Sequence, residues 1–238
     1  MSQQYKNIVI LTGAGISAES GIQTFRASDG LWHDHSIEEV ATPEGFAANP
    51  ELVQSFYNDR RRQLTDKAVK PNAAHDALAK LEKHWQGRLL LVTQNVDNLH
   101  ERAGSQSLIH MHGELHKVRC THSELVYPWE SDVLTDQKCE CCQRSGTLRP
   151  HIVWFGEMPF SMVEIAQALQ ACDLFLSIGT SGQVYPAAGF VDIANEVGAK
   201  SIEINLDLTD ASPVFDVSIQ GKAGEVLPDF VDELLGFE

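Results

Sequence analysis

Thr12-Gly13-Ala14-Gly15-Ile16-Ser17-Ala18 lies between a short apolar run and a helical pattern. Gly13 permits a tight turn, and Gly15 lets the backbone approach a pyrophosphate. Ala18 stands where the dinucleotide fingerprint usually has its third glycine, a replacement the motif tolerates. A helix opening behind such a loop offers N–H groups to phosphates. A merely structural turn would use the same residues, and the spacing alone leaves both readings open. The acid that a Rossmann dehydrogenase carries about 20 residues further on is missing, because that stretch has a helical pattern. Standard hydride transfer is therefore not expected.

Gln94, Asn95 and Asp97 follow a second apolar run. Their amides and carboxylate suit ribose hydroxyls and a carboxamide. A polar loop in which Asp97 caps the helix containing Leu99 and His100 is the plainer reading, and the two can coexist. In the helix from Pro50 to about Leu64, Arg60 falls on the stripe formed by Leu52, Val53, Phe56, Tyr57 and Leu64. Arg61 and Arg62 are expected to turn progressively toward solvent. An inward guanidinium needs an anion, an internal carboxylate or a route past the stripe. The five cysteines are Cys120, Cys139, Cys141, Cys142 and Cys172. An odd, clustered set indicates a metal or free thiols rather than disulfides. Cys172, at a helix end, is expected in the core.

The elements that must position these groups alternate. Asn7 to Thr12, Arg88 to Thr93, Asp173 to Ile178 and Lys200 to Asn205 have the composition of fully buried strands. Helical patterns cover Asn72 to Trp85, Ser161 to Ala171, Pro186 to Val197 and Gly224 to Leu235. This order predicts an α/β fold with a Rossmann-like parallel sheet that binds ligands at the strands' carboxyl ends. Residues 30–70 read as a helical module without strands, with Asn49 and Pro50 opening its longest helix. Residues 114–149 hold four cysteines and short strand-like pieces, a small zinc-type module. Both are expected as insertions in one domain spanning 1–238.

The chain has 238 residues and a net charge of −15, which suits one large domain and argues against a nucleic-acid partner. Basic peptides remain compatible with it. No apolar run approaches the roughly 18 residues of a membrane span, and the start lacks the basic and apolar regions of a signal peptide. A cytoplasmic protein with no membrane partner is expected.

Six motifs occur in a fixed order: Gly13-Ala-Gly-Ile-Ser-Ala-Glu-Ser-Gly-Ile22 leading to Thr24-Phe25-Arg26, Thr93-Gln-Asn-Val-Asp97, His110-Met-His-Gly113, Leu148-Arg-Pro-His-Ile-Val-Trp-Phe-Gly-Glu157, Gly179-Thr-Ser181 and Asn205-Leu-Asp207. Over nearly the whole chain this series resembles the sirtuins, NAD-dependent protein-lysine deacylases. The details are most similar to the bacterial CobB-type members of the desuccinylase branch.

The resemblance implies NAD as co-substrate, acylated-lysine proteins or peptides as substrates, and nicotinamide and an O-acyl-ADP-ribose as products. It implies His112 as the base, a role suited to imidazole at neutral pH, with His110 structural. Gly13, Ala14, Gly15, Ile16, Ser17 and Arg26 would meet the phosphates and ribose, and Phe25 would cover the nicotinamide ribose. Gln94, Asn95 and Asp97 would hold the nicotinamide half. Gly179, Thr180, Ser181, Asn205 and Asp207 would line the adenosine half, with Ala223 at the adenine. Val153, Phe155 and Gly156 would pair with the peptide as an added strand, opposite residues 182–185. Tyr57 and Arg60 would read a succinyl or malonyl carboxylate, and the small Ala41 would leave room for it. Mono-ADP-ribosyl transfer to protein and non-catalytic NAD sensing are the rival functions.

The family also carries two Cys-x-x-Cys pairs around a structural zinc. Here Cys139 and Cys142 form one pair, but Ser123 stands where the partner of Cys120 should be. Cys120, Cys139 and Cys142 are the expected zinc ligands. The fourth place is left to His122, to a weakened site or to none, with Cys141 as a spare thiolate.

Overall fold

The computed structural model describes residues 5–22, 31–32 and 35–237. The chain opens with β1 (Asn7–Thr12) and α1 (Ala14–Ser17). The pair β2 (Leu31–Trp32) and β3 (His35–Ser36) precedes α2 (Ile37–Val40), α3 (Pro43–Ala48) and α4 (Pro50–Thr65). Next come α5 (Ala73–His84), β4 (Arg88–Thr93), α6 (Leu99–Ala103) and β5 (Leu108–His110). β6 (Gly113–Cys120), β7 (Val126–Pro128) and β8 (Leu148–Ile152) follow. The chain closes with α7 (Met162–Gln170), β9 (Leu174–Ile178), α8 (Phe190–Glu196), β10 (Lys200–Asn205), β11 (Val217–Gln220) and α9 (Ala223–Leu235).

One sheet has the order β11-β10-β9-β1-β4-β5, and all its pairings are parallel. Period-two alternation divides its core. Ile8 and Ile10 of β1 pack with Leu78, Leu81, Leu227 and Val231 on the face covered by α5 and α9. Val9 and Leu11 pack on the other face with Ile165, Leu169, Phe190 and Val191 of α7 and α8. The strand order reverses at β1, since β4 lies on one side and β9 on the other. Thr12 is level with Thr93 and Ile178, so the loops after β1, β4 and β9 converge at one edge.

Two smaller layers sit beyond that edge. In the helical layer, Asn49 caps α4 by accepting from the Leu52 amide at 3.1 Å. Contrary to the strandless expectation for residues 30–70, Leu31 and Trp32 pair with Ser36 and His35. A two-residue ladder is too short to show a sequence period. The cysteine layer is the antiparallel sheet β7-β6-β8.

α4 joins the two layers. Gln54 donates to the Leu148 carbonyl at 2.7 Å, and Asn58 exchanges bonds with the backbone of Val133 at 2.8 and 3.0 Å. The expected outward turn of Arg61 is wrong: its side chain is wholly buried, donating to the Leu115 carbonyl at 2.9 Å and to Asn58 Oδ1 at 2.7 Å. The cysteine layer covers a second face of α4, and its Leu115 carbonyl draws the guanidinium inward. Arg62 does reach the surface, where it pairs with Asp59 and Asp132. Cys172 is buried, as expected.

Candidate active site

The convergent loops and the two smaller layers enclose a cleft of about 850 Å³. Its floor is the glycine turn. The Gly13 amide donates to the Ile178 carbonyl at 3.0 Å, and Gly15 donates to the Gly179 carbonyl at 2.9 Å. Gly179 has a φ of +61°, and a Cβ there would lie 2.5 Å from the Ile16 nitrogen. The two turns therefore interlock backbone against backbone, with Gly13, Ala14, Gly15 and Gly179 facing the cleft. The expected open helix N-terminus is not what forms. α1 is four residues long, and its Gly15 amide is committed to Gly179. The Ile16 side chain is in the sheet core rather than at the cleft.

Beside this floor, Asn95 donates through Nδ2 to the Gly13 carbonyl at 3.0 Å and to Ser17 Oγ at 3.1 Å. Ser17 Oγ donates in turn to Asp97 at 3.0 Å. Asp97 also accepts from the Leu99 amide at 3.0 Å, so it holds the start of α6 while facing the cleft. Burial pushes its carboxyl pKa up.

His112 faces the same space as Gln94 and Asn95. Its Nδ1 lies 3.2 Å from the Gln94 carbonyl oxygen. A carbonyl only accepts, so Nδ1 carries the hydrogen and Nε2 keeps the lone pair. Burial lowers its pKa, leaving the imidazole neutral at neutral pH. The chain leaves His112 through Gly113, where φ is +85° and a Cβ would lie 2.0 Å from the His151 carbonyl oxygen. Only glycine allows β6 to start so close to β8.

On the far side, Thr180, Ser181, Asn205 and Asp207 line the cleft. Asn205 Nδ2 donates to the Thr180 carbonyl at 2.7 Å, tying the loops after β9 and β10 together. Ala223 is instead in the core under α9, and it does not line the cleft. Phe25 and Arg26 lie outside the described residues.

Near the helical layer, Ala41, Tyr57, Val153, Phe155 and Gly156 all line the cleft. The segment after β8 is not a plain strand. The Val153 amide donates to the His112 carbonyl and the Phe155 amide to the Ala41 carbonyl, both at 2.9 Å. Gly156 then turns with a φ of +88°, and the Glu157 carboxylate accepts from the Trp154 amide at 2.8 Å. Arg60 is buried, as its place on the stripe predicts, but it is not among the residues lining the cleft. It donates to the Phe56 carbonyl at 2.7 Å and lies 3.3 Å over the Phe56 ring. Burial lowers its pKa to about 10.

Sequence reasoning missed Trp154, which donates through Nε1 to Tyr57 Oη at 2.8 Å and lines the cleft. It also missed Leu206 and Leu208, two exposed leucines beside Asp207 on the cleft wall. Two apolar side chains alternating around a polar one in a loop were the available signal.

In the cysteine layer, the sulfurs of Cys120, Cys139, Cys141 and Cys142 all lie within 4.8 Å of one another. A tetrahedral zinc with bonds of about 2.3 Å sets its sulfurs about 3.8 Å apart. The Cys120–Cys142 separation is 3.8 Å and the Cys139–Cys141 separation 3.3 Å. The four thiols are thus positioned to bind a zinc ion. The fourth thiol of the cluster is that of Cys141, while His122 is not in the cluster and only its amide meets it, donating to Cys120 Sγ at 3.4 Å. A hairpin, closed by the Cys139 amide donating to the Arg144 carbonyl at 2.9 Å, sets the exposed Cys141 beside the cluster.

The model of the Sir2 family matches residues 13–186. The chain belongs to the Sir2 family. It is 58% identical over 238 residues to a Vibrio parahaemolyticus protein named NAD-dependent protein deacylase, covering 100% of this chain and 99% of that one. Among solved Sir2 structures, a homologue in complex with NAD superposes with a TM-score of 0.88 at 43% identity, covering 98% of this chain and 90% of that one. A Sir2 protein bound to a myristoylated histone peptide superposes with a TM-score of 0.75 at 36% identity, covering 98% and 92%. No helix among the described residues is long and apolar enough to cross a membrane.

Proposed function

We propose that this Sir2 chain is a cytoplasmic NAD-dependent protein-lysine deacylase that removes acetyl and succinyl groups, with malonyl in the same range. The observation that carries this reading is the tautomer of His112. Its Nε2 lone pair belongs to the ring that lines one cleft with Asn95, Asp97 and the glycine turn. A binding protein would have no use for a neutral base held this way.

The cleft fits a dinucleotide by its size and by the crowded glycines that bring two backbone turns to its floor. NAD, when bound, supplies the bond to nicotinamide that is broken and the ribose that receives the acyl group. Gly13 and Gly15, whose amides are committed to Ile178 and Gly179, let the turn come close to the phosphates, which Ala14, Ser17 and Arg26 contact. Thr180, Ser181, Asn205 and Asp207 hold the adenosine half. Gln94, Asn95 and Asp97 hold the nicotinamide half, and Phe25 has the role of keeping water from it.

The segment 153–156 and the loop 182–185 grip the substrate backbone from two sides, which gives affinity with little sequence preference. Alignment of the acyl oxygen with the ribose supplies much of the rate, because an amide oxygen is a weak nucleophile. His112 Nε2 then accepts the proton of a ribose hydroxyl, which frees that oxygen to attack the acyl carbon. Tyr57, which lines the cleft, and Arg60, which would exchange the Phe56 carbonyl for the substrate, select acyl groups that end in a carboxylate. Zinc is structural, since it belongs to the layer of β6, β7 and β8 and no proposed catalytic residue lies within its cluster.

The test is NAD consumption with acetyl-, succinyl- and unmodified lysine peptides. Nicotinamide release should depend on the acyl group. Equal release with the unmodified peptide would overturn the reading.

A further inference from the structure

His110 ends β5, two residues before His112, and its ring makes two contacts. Nδ1 lies 3.1 Å from the main-chain oxygen of Asn95, and Nε2 lies 2.8 Å from a carboxylate oxygen of Glu101 on α6. A carbonyl oxygen only accepts. An ionised carboxylate only accepts too. Both ring nitrogens must therefore carry hydrogen, which makes this imidazole a cation. Moving the proton to Glu101 would put it on the intrinsically more acidic group, at a site where that side chain is 39% exposed.

We propose that His110 is a positioning residue: doubly protonated, it ties the Asn95 carbonyl to Glu101 and holds the Gln94–Asp97 loop against the glycine turn. This rests on the dinucleotide-binding reading of that loop given above. The backbone amide and side-chain nitrogen of Asn95 are committed to the same geometry. Its amide donates to Thr93 Oγ1 at 3.0 Å, and its side chain donates to Gly13 and Ser17. His110 thus secures the backbone carbonyl of the same residue.

The charged surroundings agree with a cation. Burial works against it, but the bond from Glu101, that residue's charge, the Asn95 carbonyl and Glu114 on β6 together raise the His110 pKa. Asp97 in the loop also feels its charge, as does His100 on α6, whose pKa it helps to lower. Lys117 on β6 pairs with Glu114. The two histidines of this motif are accordingly split. His112 is driven neutral, as a base must be, and His110 is kept charged.

The sign follows. Below its raised pKa, His110 makes both bonds. As pH rises through that value, either tautomer of the neutral ring turns a lone pair toward one of the two oxygens. One bond is lost, and the loop loosens.

Two measurements that need no deacylation test this. Nitrogen NMR of the wild-type ring near neutral pH should show His110 protonated at both nitrogens, and Glu101→Gln should move its titration to lower pH. Calorimetry with NAD alone should show affinity falling as pH rises, and the fall should begin at lower pH in Glu101→Gln. The change in Kd should be about two- to tenfold, the worth of one hydrogen bond. His110→Gln keeps a single uncharged donor, so it should show the weaker affinity with this pH limb removed. A His110 ring carrying one proton near neutral pH would overturn the proposal, as would an NAD affinity whose pH profile is the same in all three proteins. Failure to deacylate with these profiles intact would instead count against the function proposed above.

Discussion

His112 and Gln94 are locked to each other through Nδ1 and a main-chain oxygen 3.2 Å away. The bond fixes which ring nitrogen can take a proton, and burial keeps that nitrogen unprotonated. His112→Ala should lower deacylation by about 10²- to 10⁴-fold, the usual worth of a general base, and leave NAD binding within a few-fold of the wild type. Steady-state rates and calorimetry check this together. Near-normal turnover would remove His112 from the mechanism.

The same burial sets a pH dependence. The His112 pKa is lowered, so the active neutral form persists below the ordinary histidine range. Activity should fall as pH drops through that lowered value. A turnover profile with its acidic limb above about 6.5 would contradict the account.

Arg61 provides a stability prediction. Its buried guanidinium bonds Leu115 and Asn58. Arg61→Ala strips those groups of their donor and leaves a void, so it should cost about 3 kcal/mol or more in urea unfolding. Arg62→Ala, at the surface, should stay within about 1 kcal/mol of the wild type. Equal losses would mean that α4 does not brace the cysteine layer.

This pair also marks where the sequence was legible. β1, β4, β9 and β10 could be read because fully buried strands are written as unbroken apolar runs. The start of α4 could be read because Asn49 and Pro50 act locally. The site residues at strand ends followed from the motifs. Arg61 is drawn inward by the Leu115 carbonyl of β6, more than 50 residues away in sequence, so no period within α4 could reveal it. Cys141, read as a spare thiolate, was not read as the fourth of the cluster for a similar reason: a hairpin, not Cys-x-x-Cys spacing, brings it there. The turn at Gly156 depends on Glu157 reaching back to Trp154, which an apolar run does not announce.

The metal layer can be tested by elemental analysis. Protein prepared with zinc should hold one ion per chain, as four thiolates require. Cys141→Ser should weaken retention at least about 10-fold, while His122→Ala should not change it. The reverse pattern would return the fourth place to His122.

Arg60 tests acyl selection. The fork of Arg60, with Tyr57, would give a succinyl carboxylate charged hydrogen bonds worth about 1.5–3 kcal/mol. Arg60→Met should raise the KM for succinyl peptide about 10- to 100-fold and leave deacetylation intact. Lysine in its place should rescue only in part, because it lacks the planar fork. If both activities fell by one factor, Arg60 would be holding the fold, and the acyl-selecting role would be wrong.

The central claim is that the acyl group leaves lysine for the ribose, with His112 as base. Mass spectrometry of a reaction containing NAD and succinyl-lysine peptide tests it most directly. One O-succinyl-ADP-ribose should form for each nicotinamide released, together with free lysine peptide, and neither should form with His112→Ala. Nicotinamide released while the protein or peptide gains the mass of ADP-ribose, with the succinyl group still on lysine, would contradict it.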